Sequence, residues 1–432
     1  MDMSEILQLL FIFFLLLLLN VPIAVSIGLT CMYYIFTTGN LQMTYLFSTL
    51  FTANDSFPLM AIPFFILAGA LMEGGGLSRR LVDFASAFVG HKTGGLAIVT
   101  VLTCLFFGAI SGSAPATVAA IGAIMVPEML KQGYGKAFSY SLIAAAGILG
   151  IIIPPSIPMV MYGVATMESI GTMFLGGFGP GIVAGIFLIL MAVHISKKNG
   201  YVGNGLKFSW KRVVHTGRDA IFALVVPIII LGGIYGGFFT ATEAASVAVV
   251  YGLIAGKIIY KELTFKKFVD SLSSTLITTS TILIIVGTAT TLGRVFTILH
   301  VTDMIQDTLL NLSTNKYIIL MAINLLLLFV GCIMDTLAAI LILAPILSPI
   351  VVALGVNPIQ FGVMMVLNLA IGLCTPPVGV NLYVASGLGS IAFKDIVKGV
   401  LPFLIALLLA LLCVTFIPPI VTFLPRLFGM IH

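Results

Sequence analysis

The composition of this 432-residue chain excludes a soluble protein. Hydrophobic residues make up 60% of the sequence and charged residues 8%, whereas soluble proteins carry about 25% charged residues. Apolar runs of roughly the 20 residues that span a bilayer recur from end to end. We therefore predict a polytopic all-α membrane protein, whose net charge of +5 requires no nucleic-acid partner.

The first part of the chain predicts three membrane crossings. The N-terminal sequence MDMSEILQLL is acidic, so it lacks the basic start of a cleaved signal peptide. The apolar runs that follow predict crossings at 5–19, 22–38 and 58–76.

The next apolar segment, 94–130, is interrupted near its centre. The sequence Ser111-Gly112-Ser113 and the following Pro115 break its hydrophobic pattern. We predict a re-entrant helical hairpin, in which two short helices enter and leave the membrane on one side. Ser113 followed by Pro115 is typical of the N-cap and first turn of a helix.

A crossing predicted at 137–166 contains the sequence GIIIPPSIPMVMYG at 150–163. A proline inside a helix costs about 3 kcal/mol or more, so the three prolines predict a broken helix. Ser156 followed by Pro158 repeats the cap pattern of the hairpin. A further crossing at 172–194 completes this part of the chain.

The same pattern recurs in the second half of the chain at a constant offset. The sequence GLCTPPVGVNLYVA at 372–385 aligns with the first broken helix, since Gly150 matches Gly372 and Pro154 matches Pro376. Further matches at the same offset are Pro127 with Pro349, Gly133 with Gly355, Pro155 with Pro377, Gly177 with Gly399, and Pro180 with Pro402. We therefore predict two homologous repeats, 1–200 and 219–432, joined by a basic interfacial linker at 201–218.

The second repeat is predicted to contain the same elements as the first. Its crossings are 221–237, 240–258, 271–293, the broken 361–389, and 399–418. Its re-entrant hairpin is 317–352, with a tip near 331–336. Because each repeat has five crossings, an odd number, the second is inverted relative to the first. Inverted repeats with broken helices are a signature of secondary transporters.

The distribution of basic residues orients this map. All of the 20 Lys and Arg residues except Arg294, Lys316 and Arg426 fall on one face. The positive-inside rule makes that face cytoplasmic. Both chain termini are then expected on the opposite, periplasmic side.

The four interruptions predict a binding site near the middle of the membrane. Unpaired backbone groups cost several kcal/mol each in hydrocarbon, so the two tips and two breaks must face protein or a wet cavity. Exposed helix N-termini favour anions, and exposed carbonyls favour Na⁺. We therefore expect the interruptions to meet and to bind both kinds of ion.

We assign the substrate to the first repeat. Ser113 and Ser156 are expected to cap helices whose N-termini contact a carboxylate, although such hydroxyls often bond a carbonyl of their own helix. Asn381, one turn beyond the second break, is placed to reach either the substrate or a neighbouring helix. Arg294 is a further candidate anion ligand, although its long side chain can extend to the membrane interface instead.

We assign one Na⁺ to each repeat. Asp335 is the residue that matches Ser113 at the repeat offset, and its charge would repel a carboxylate and attract a cation. A carboxylate at membrane depth marks a functional site by default, although Asp335 also suits an N-cap. The other expected ligands in the second repeat are Gly331 and Thr375. Those of the Na⁺ in the first repeat are Ser111, Gly150 and the carbonyls around Ile153.

Enzymatic activity has no support in the sequence. There is no G-x-x-x-x-G-K-[ST] P-loop and no H-E-x-x-H metal motif. No histidine is evident that would activate the serines at 111–113, as a serine protease requires. The five cysteines lie in apolar segments at spacings that indicate neither a metal site nor a disulfide framework. We expect no catalytic residues.

The segments 108–129, 150–163 and 372–385 resemble the large membrane subunit of tripartite ATP-independent periplasmic (TRAP) transporters. The first of them reads GAISGSAPATVAAIGAIMVPEM, and the resemblance covers essentially the whole chain. It implies Na⁺-coupled uptake of an organic acid such as a C4-dicarboxylate or sialic acid. It also implies an elevator mechanism, in which hairpins and broken helices move together against a scaffold.

The resemblance implies partners in the bacterial inner membrane and periplasm. A small four-helix membrane subunit would brace the chain, and a soluble binding protein would deliver the substrate. Because no four-helix segment precedes the first crossing, we expect the small subunit to be a separate polypeptide. The alternatives are a stand-alone ion-coupled carboxylate transporter and a non-transporting membrane scaffold or receptor. A channel is a further alternative, although paired hairpins suit a closed site better than a pore.

Overall fold

The computed structural model of the protein describes residues 3–39, 41–203, 205, 207–312 and 315–431. Within these residues the regular structure consists of helices alone, without a β-strand. The predicted all-α class is therefore confirmed. Both end residues, Met1 and His432, lie outside the described residues, as do positions 204 and 206 of the predicted linker.

The α-helices follow one another with short connections. In the first half of the chain they are α1 (Met3–Leu18), α2 (Ile23–Thr38), α3 (Met43–Thr52), α4 (Ala61–Gly74), α5 (Leu77–Val89), α6 (Gly95–Ser111), α7 (Ala114–Lys131), α8 (Lys136–Ala146), α9 (Leu149–Ile152), α10 (Ile157–Thr166) and α11 (Ile170–Lys198). In the second half they are α12 (Trp210–Tyr235), α13 (Ala241–Leu253), α14 (Phe265–Ile298), α15 (Val301–Leu312), α16 (Lys316–Gly331), α17 (Thr336–Ala353), α18 (Pro358–Gly372), α19 (Val380–Gly387), α20 (Phe393–Phe416) and α21 (Pro419–Leu427). A 3₁₀ turn precedes α4, and a π-helix extends α13.

Eight helical segments of the described chain are long and apolar enough to cross a membrane. A ninth is the pair formed by α8–α9 and α10, which is bent by 44°. The predicted crossings 5–19 and 22–38 correspond to α1 and α2, which have 16 residues each and fall short of a ~20-residue span. These two crossings stay predictions.

Helices end at both predicted breaks, 153–156 and 373–379. Each break contains two adjacent prolines, Pro154–Pro155 and Pro376–Pro377, joined by a cis peptide bond. Single prolines lie inside other helices of this protein, such as Pro127 in α7 and Pro180 in α11. Two adjacent prolines remove two N–H donors, and both rings clash with the preceding turn, which favours a break over a kink. The breaks therefore follow from local chemistry.

Helix boundaries keep the constant offset between the two halves. Ala114–Lys131 and Thr336–Ala353 begin and end at matching positions, and the matching residues Lys136 and Pro358 start the next helix in each half. The inverted orientation of the repeats, and their limits at 200 and 219, stay predictions.

The predicted linker 201–218 differs from the structure at its C-terminal end. Helix α12 begins at Trp210 and runs without interruption into the crossing predicted at 221–237. Gly217 is the one strong helix-disfavouring residue before that crossing, and a glycine costs a helix only about 1 kcal/mol. The end of the basic segment is therefore helical.

The segment after each break packs on the hairpin of the other half. Helix α10 lies against α17, and its Tyr162 hydroxyl is 3.0 Å from the Pro358 carbonyl oxygen and 3.2 Å from Ser348 Oγ. Helix α19 lies against α7 and α8. These contacts unite both hairpins and both broken helices in one core.

Candidate functional site

The tip of the first hairpin is a capped helix start. Helix α6 ends at Ser111, and Gly112 turns the chain with φ +63, a conformation that glycine adopts without a steric penalty. Ser113 then caps α7, because its Oγ accepts a hydrogen bond from the Ala116 amide at 3.5 Å. The predicted cap is confirmed. The Ser113 carbonyl oxygen is 2.8 Å from Thr117 Oγ1 and 3.4 Å from Ser111 Oγ.

Ser156 caps α10 as predicted, but its hydroxyl is fully used within the protein. Its Oγ accepts from the Met159 amide at 3.3 Å and donates to the Ile151 carbonyl across the break. The residue is completely buried. The hydroxyl therefore holds the two sides of the break together and has no free donor for a substrate in this conformation.

The other N-terminal donors of α10 are used as well. The Ile157 amide donates to the Gly112 carbonyl at 3.4 Å, Pro158 has no N–H, and the Val160 amide donates to the Ser156 carbonyl at 3.1 Å. Of the two helix starts predicted to meet an anion, α7 therefore remains the better candidate, with Ser113 half-buried at the tip.

The first tip and the first break touch each other. A Cβ on Gly108 would lie 2.9 Å from Gly150 Cα, and one on Gly150 would lie 2.8 Å from the Ser113 carbonyl oxygen. Only glycine allows this close approach of two backbones. The structure thus brings Ser111, Ser113, Gly150 and Ser156 together. Ile153 adjoins them in extended conformation, with its side chain against α11.

The second tip and the second break meet in the same manner. The Val378 amide donates to the Cys332 carbonyl at 3.3 Å, and a Cβ on Gly331 would lie 3.3 Å from Gly372 Cα. Asp335 caps α17 as predicted, since its Oδ2 accepts from the Leu337 amide at 2.9 Å. The structure thus brings Gly331 and the Cys332 carbonyl to the break, and Asp335 lies three residues further along the same tip.

Thr375 lies within the second break, but its hydroxyl is engaged locally. Its Oγ1 donates to the Ile371 carbonyl of the preceding turn at 2.8 Å. A hydroxyl that donates its proton still has a lone pair for a cation. Thr375 therefore keeps the capacity that its predicted role requires.

Asn381 connects the two halves instead of facing open space. Its Nδ2 donates to the Ala144 carbonyl of α8 at 3.1 Å and lies 3.6 Å from Cys374 Sγ. The thiol of Cys374 donates to the same carbonyl at 3.0 Å. Of the two alternatives for Asn381, contact with a neighbouring helix is the one the structure contains.

Arg294 is exposed on α14, near the end of that helix at Ile298. It takes part in none of the ion pairs of the described residues, which join Arg80 to Glu262, His215 to Asp219 and His300 to Asp303. The structure does not join it to either tip, and its exposure favours extension toward the membrane interface.

Two contributors to the site were missed in the sequence. Thr117 lies one turn after Ser113 and faces the first break, and the i+4 spacing alone would have placed it on that face. The Ala144 carbonyl carries no sequence signal. Among the described residues there is no group of three or more His, Cys, Asp and Glu able to hold a metal ion, so the donors at the tips are mainly hydroxyls and carbonyls.

A polar cavity of about 850 Å³ lies away from both tips, between α5 and α12. Arg80 pairs there with Glu262 at 2.8 Å and stacks over the Tyr260 ring at 3.7 Å. Burial raises the pKa of the neighbouring Asp83, while Arg79 and Arg80 lower it. Acidic and basic groups are balanced in this cavity, which makes it a poor site for an organic anion.

These features define a polytopic all-α membrane protein with broken helices, an architecture that secondary transporters use. A solved structure with a similar fold is the YdaH transporter of Alcanivorax borkumensis. Its TM-score is 0.60 at 14% sequence identity, over 86% of this chain and 88% of that one. This likeness concerns the fold alone.

Sequence comparison gives the family. The tripartite ATP-independent periplasmic transporter family, DctM component, matches residues 10–420. The chain belongs to this family, and the recognition made from its motifs is confirmed.

Three relatives illustrate the range of the family. The isethionate TRAP transporter permease DctMQ of Oleidesulfovibrio alaskensis is 47% identical over 95% of this chain, which spans 65% of the length of that permease. The C4-dicarboxylate TRAP transporter large permease DctM of Vibrio cholerae is 39% identical over 95% of both chains. The sialic acid TRAP transporter large permease SiaM of Vibrio cholerae is 38% identical over 96% of both.

Proposed function

We propose that this chain is the Na⁺-coupled translocation subunit of a TRAP transporter that takes up a small organic anion across the inner membrane. It would work with a small membrane subunit and a periplasmic binding protein. The observation that carries the proposal is the contact of each hairpin tip with its own break, around Gly108 and Gly150 in one half and Gly331 and Gly372 in the other.

The chemistry of the two tips supports a division of labour. The first tip offers the Ser113 hydroxyl and the N-terminus of α7, which attract a carboxylate or sulfonate. The second tip offers the Asp335 carboxylate and the adjoining second break offers the Thr375 oxygen, and both attract a cation. The relatives include isethionate, C4-dicarboxylate and sialic acid permeases, which supports an organic anion as substrate.

An elevator movement fits the packing of the core. Since α10 contacts α17 and α19 contacts α7, each hairpin is attached to the broken helix of the other half. A movement of one tip would therefore carry all four interruptions along. We propose that these elements move as one unit.

The first prediction is Na⁺-driven uptake that depends on both partners. In proteoliposomes holding this chain and the small subunit, an inward Na⁺ gradient should drive uptake of one of isethionate, a C4-dicarboxylate or sialic acid when the binding protein is added. Replacing Na⁺ by K⁺, or omitting the binding protein, should abolish it. Equal uptake in both salts would refute Na⁺ coupling, and uptake without the binding protein would indicate a stand-alone transporter.

A further inference from the structure

A buried polar network joins α16, α18 and α20 in the second half. Asn368 Nδ2 donates to the side-chain oxygen of Asn324 at 2.7 Å and to its carbonyl at 3.0 Å. Asn324 Nδ2 in turn donates to Thr415 Oγ1 at 3.0 Å, and that hydroxyl donates to the Leu411 carbonyl at 2.8 Å. Asn324, Asn368 and Thr415 are 3%, 0% and 1% exposed, so the network is sealed inside the protein.

The first half has no such network at the corresponding positions. The residues that match these three at the repeat offset are Leu102, Ala146 and Val193, which are all apolar. Burying a polar group costs free energy even when the group is paired. At the matching positions of the first half, Ala146 is fully buried, whereas Leu102 and Val193 are half-buried. The buried amide and hydroxyl groups are therefore particular to the second half.

One member of the network is left unsatisfied. Asn368 Oδ1 is buried and has no hydrogen-bond partner among the described residues. An unpaired buried acceptor costs free energy that an apolar side chain of similar size would avoid. Apolar side chains of similar size would therefore stabilise the fold better than this network does, which points to a functional reason for its polar groups.

The network lies on the same helix seam as the second tip. Asn324 precedes Gly331 by two turns on α16, and Asn368 precedes Gly372 by one turn on α18. Gly331 and Gly372 are the pair whose backbones touch where the tip meets the break. Hydrogen bonds have strict distance and angle requirements, whereas apolar contact is non-directional. The amides therefore fix the rotation of α16 about its axis and its position along the axis of α18.

We propose that Asn324, Asn368 and Thr415 are positioning residues for the cation site of the second half. They fix α16 so that the tip holds Asp335 beside the oxygens of the second break, and they do not touch the ion themselves. The inference rests on the proposed function, because it assumes that Na⁺ binds at this tip.

The test replaces the network by the residues of the first half. In the Asn324→Leu/Asn368→Ala variant, both amides are removed together, so neither leaves a buried partner unpaired. Half-saturating Na⁺ for uptake should rise about 2- to 13-fold, the range that corresponds to one neutral hydrogen bond. The substrate KM at saturating Na⁺ and the unfolding midpoint in detergent should stay close to those of the natural chain.

A second variant keeps the test independent of the double replacement. Thr415→Val removes the hydroxyl at the end of the network and should raise half-saturating Na⁺ in the same direction. The matched control is Thr30→Val on α2, where a buried hydroxyl bonds only the Ser26 carbonyl of its own helix at 2.8 Å. That control should leave half-saturating Na⁺ unchanged.

The outcomes separate the two proposals. If the double variant folds and its half-saturating Na⁺ is unchanged, the positioning role is overturned and the proposed function stays intact. If the double variant does not fold, an unchanged half-saturating Na⁺ in Thr415→Val has the same consequence. An equal rise of half-saturating Na⁺ in Thr30→Val also overturns the positioning role, because the effect would then follow from the loss of any buried hydroxyl. Equal uptake by the natural chain in Na⁺ and K⁺ overturns the proposed function, and the positioning role with it.

Discussion

Ser113 and Asp335 occupy corresponding helix starts and cap them with opposite chemistry. The serine accepts from Ala116 and keeps a hydroxyl proton to donate, whereas the aspartate accepts from Leu337 and brings a negative charge. Since both residues satisfy the same structural need, their difference matters for what each tip attracts.

Substitutions at these two residues should therefore impair the binding of different ligands. Ser113→Ala removes a donor to a charged group, worth about 1.5–3 kcal/mol, and should raise the substrate KM roughly 10- to 150-fold at saturating Na⁺. Asp335→Asn keeps the shape of the cap but removes the charge, and should strongly raise half-saturating Na⁺ at saturating substrate. Because ion and substrate binding are linked, the substrate KM is measured at saturating Na⁺ and half-saturating Na⁺ is measured at saturating substrate. If Asp335→Asn left the Na⁺ dependence of uptake unchanged while Ser113→Ala shifted it, the assignment of the substrate to the first tip and of Na⁺ to the second would be wrong.

Close backbone contacts between glycines join the elements of the site. Gly372 on α18 faces the backbone of Gly331 on α16 so closely that a side chain has no room. Gly293 on α14, by contrast, has no atom within 4 Å of the position a Cβ would take. The same substitution at these two helical glycines therefore separates the contact from the general effect of a glycine.

Gly372→Ala should separate the second tip from its break. The new methyl group must push α16 away, and overpacking of this kind costs about 1–3 kcal/mol, so uptake should be lost and the unfolding midpoint lowered. Gly293→Ala should raise stability by about 0.4–1 kcal/mol, because it restricts the unfolded chain without a clash. Thermal unfolding in detergent and Na⁺-driven uptake measure the two effects. Full uptake by Gly372→Ala would show that the contact is dispensable.

At the scale of the whole molecule, the basic residues predict which face is cytoplasmic. A cysteine at Val202, which is 67% exposed in the predicted linker, should react with a membrane-impermeant maleimide only after cells are permeabilised. A cysteine at Asp307, exposed on α15, should react in intact cells. Both are placed in a background without the five native cysteines. The reverse pattern would invert the map, and reaction of both in intact cells would refute it.

The sequence by itself determined the class of the protein, the places where its helices break and the identity of the caps. Hydropathy decides membrane insertion residue by residue, so composition is enough to predict a polytopic protein. Proline lacks an N–H, and serine or aspartate before a helix accepts from its first turn, so the breaks and the caps at Ser113, Ser156 and Asp335 are local events. Local events are readable from a short stretch of chain.

Only the tertiary structure decided how those places are used. It brought the backbone of Gly108 against that of Gly150, joined Asn381 to the Ala144 carbonyl of a distant helix, and left Arg294 exposed at the end of α14. It also paired Asn324 with Asn368, which sequence reasoning missed. Helical periodicity shows which face of a helix is apolar but not which helix will cover it. Contacts between distant helices therefore appear only when the whole chain has packed.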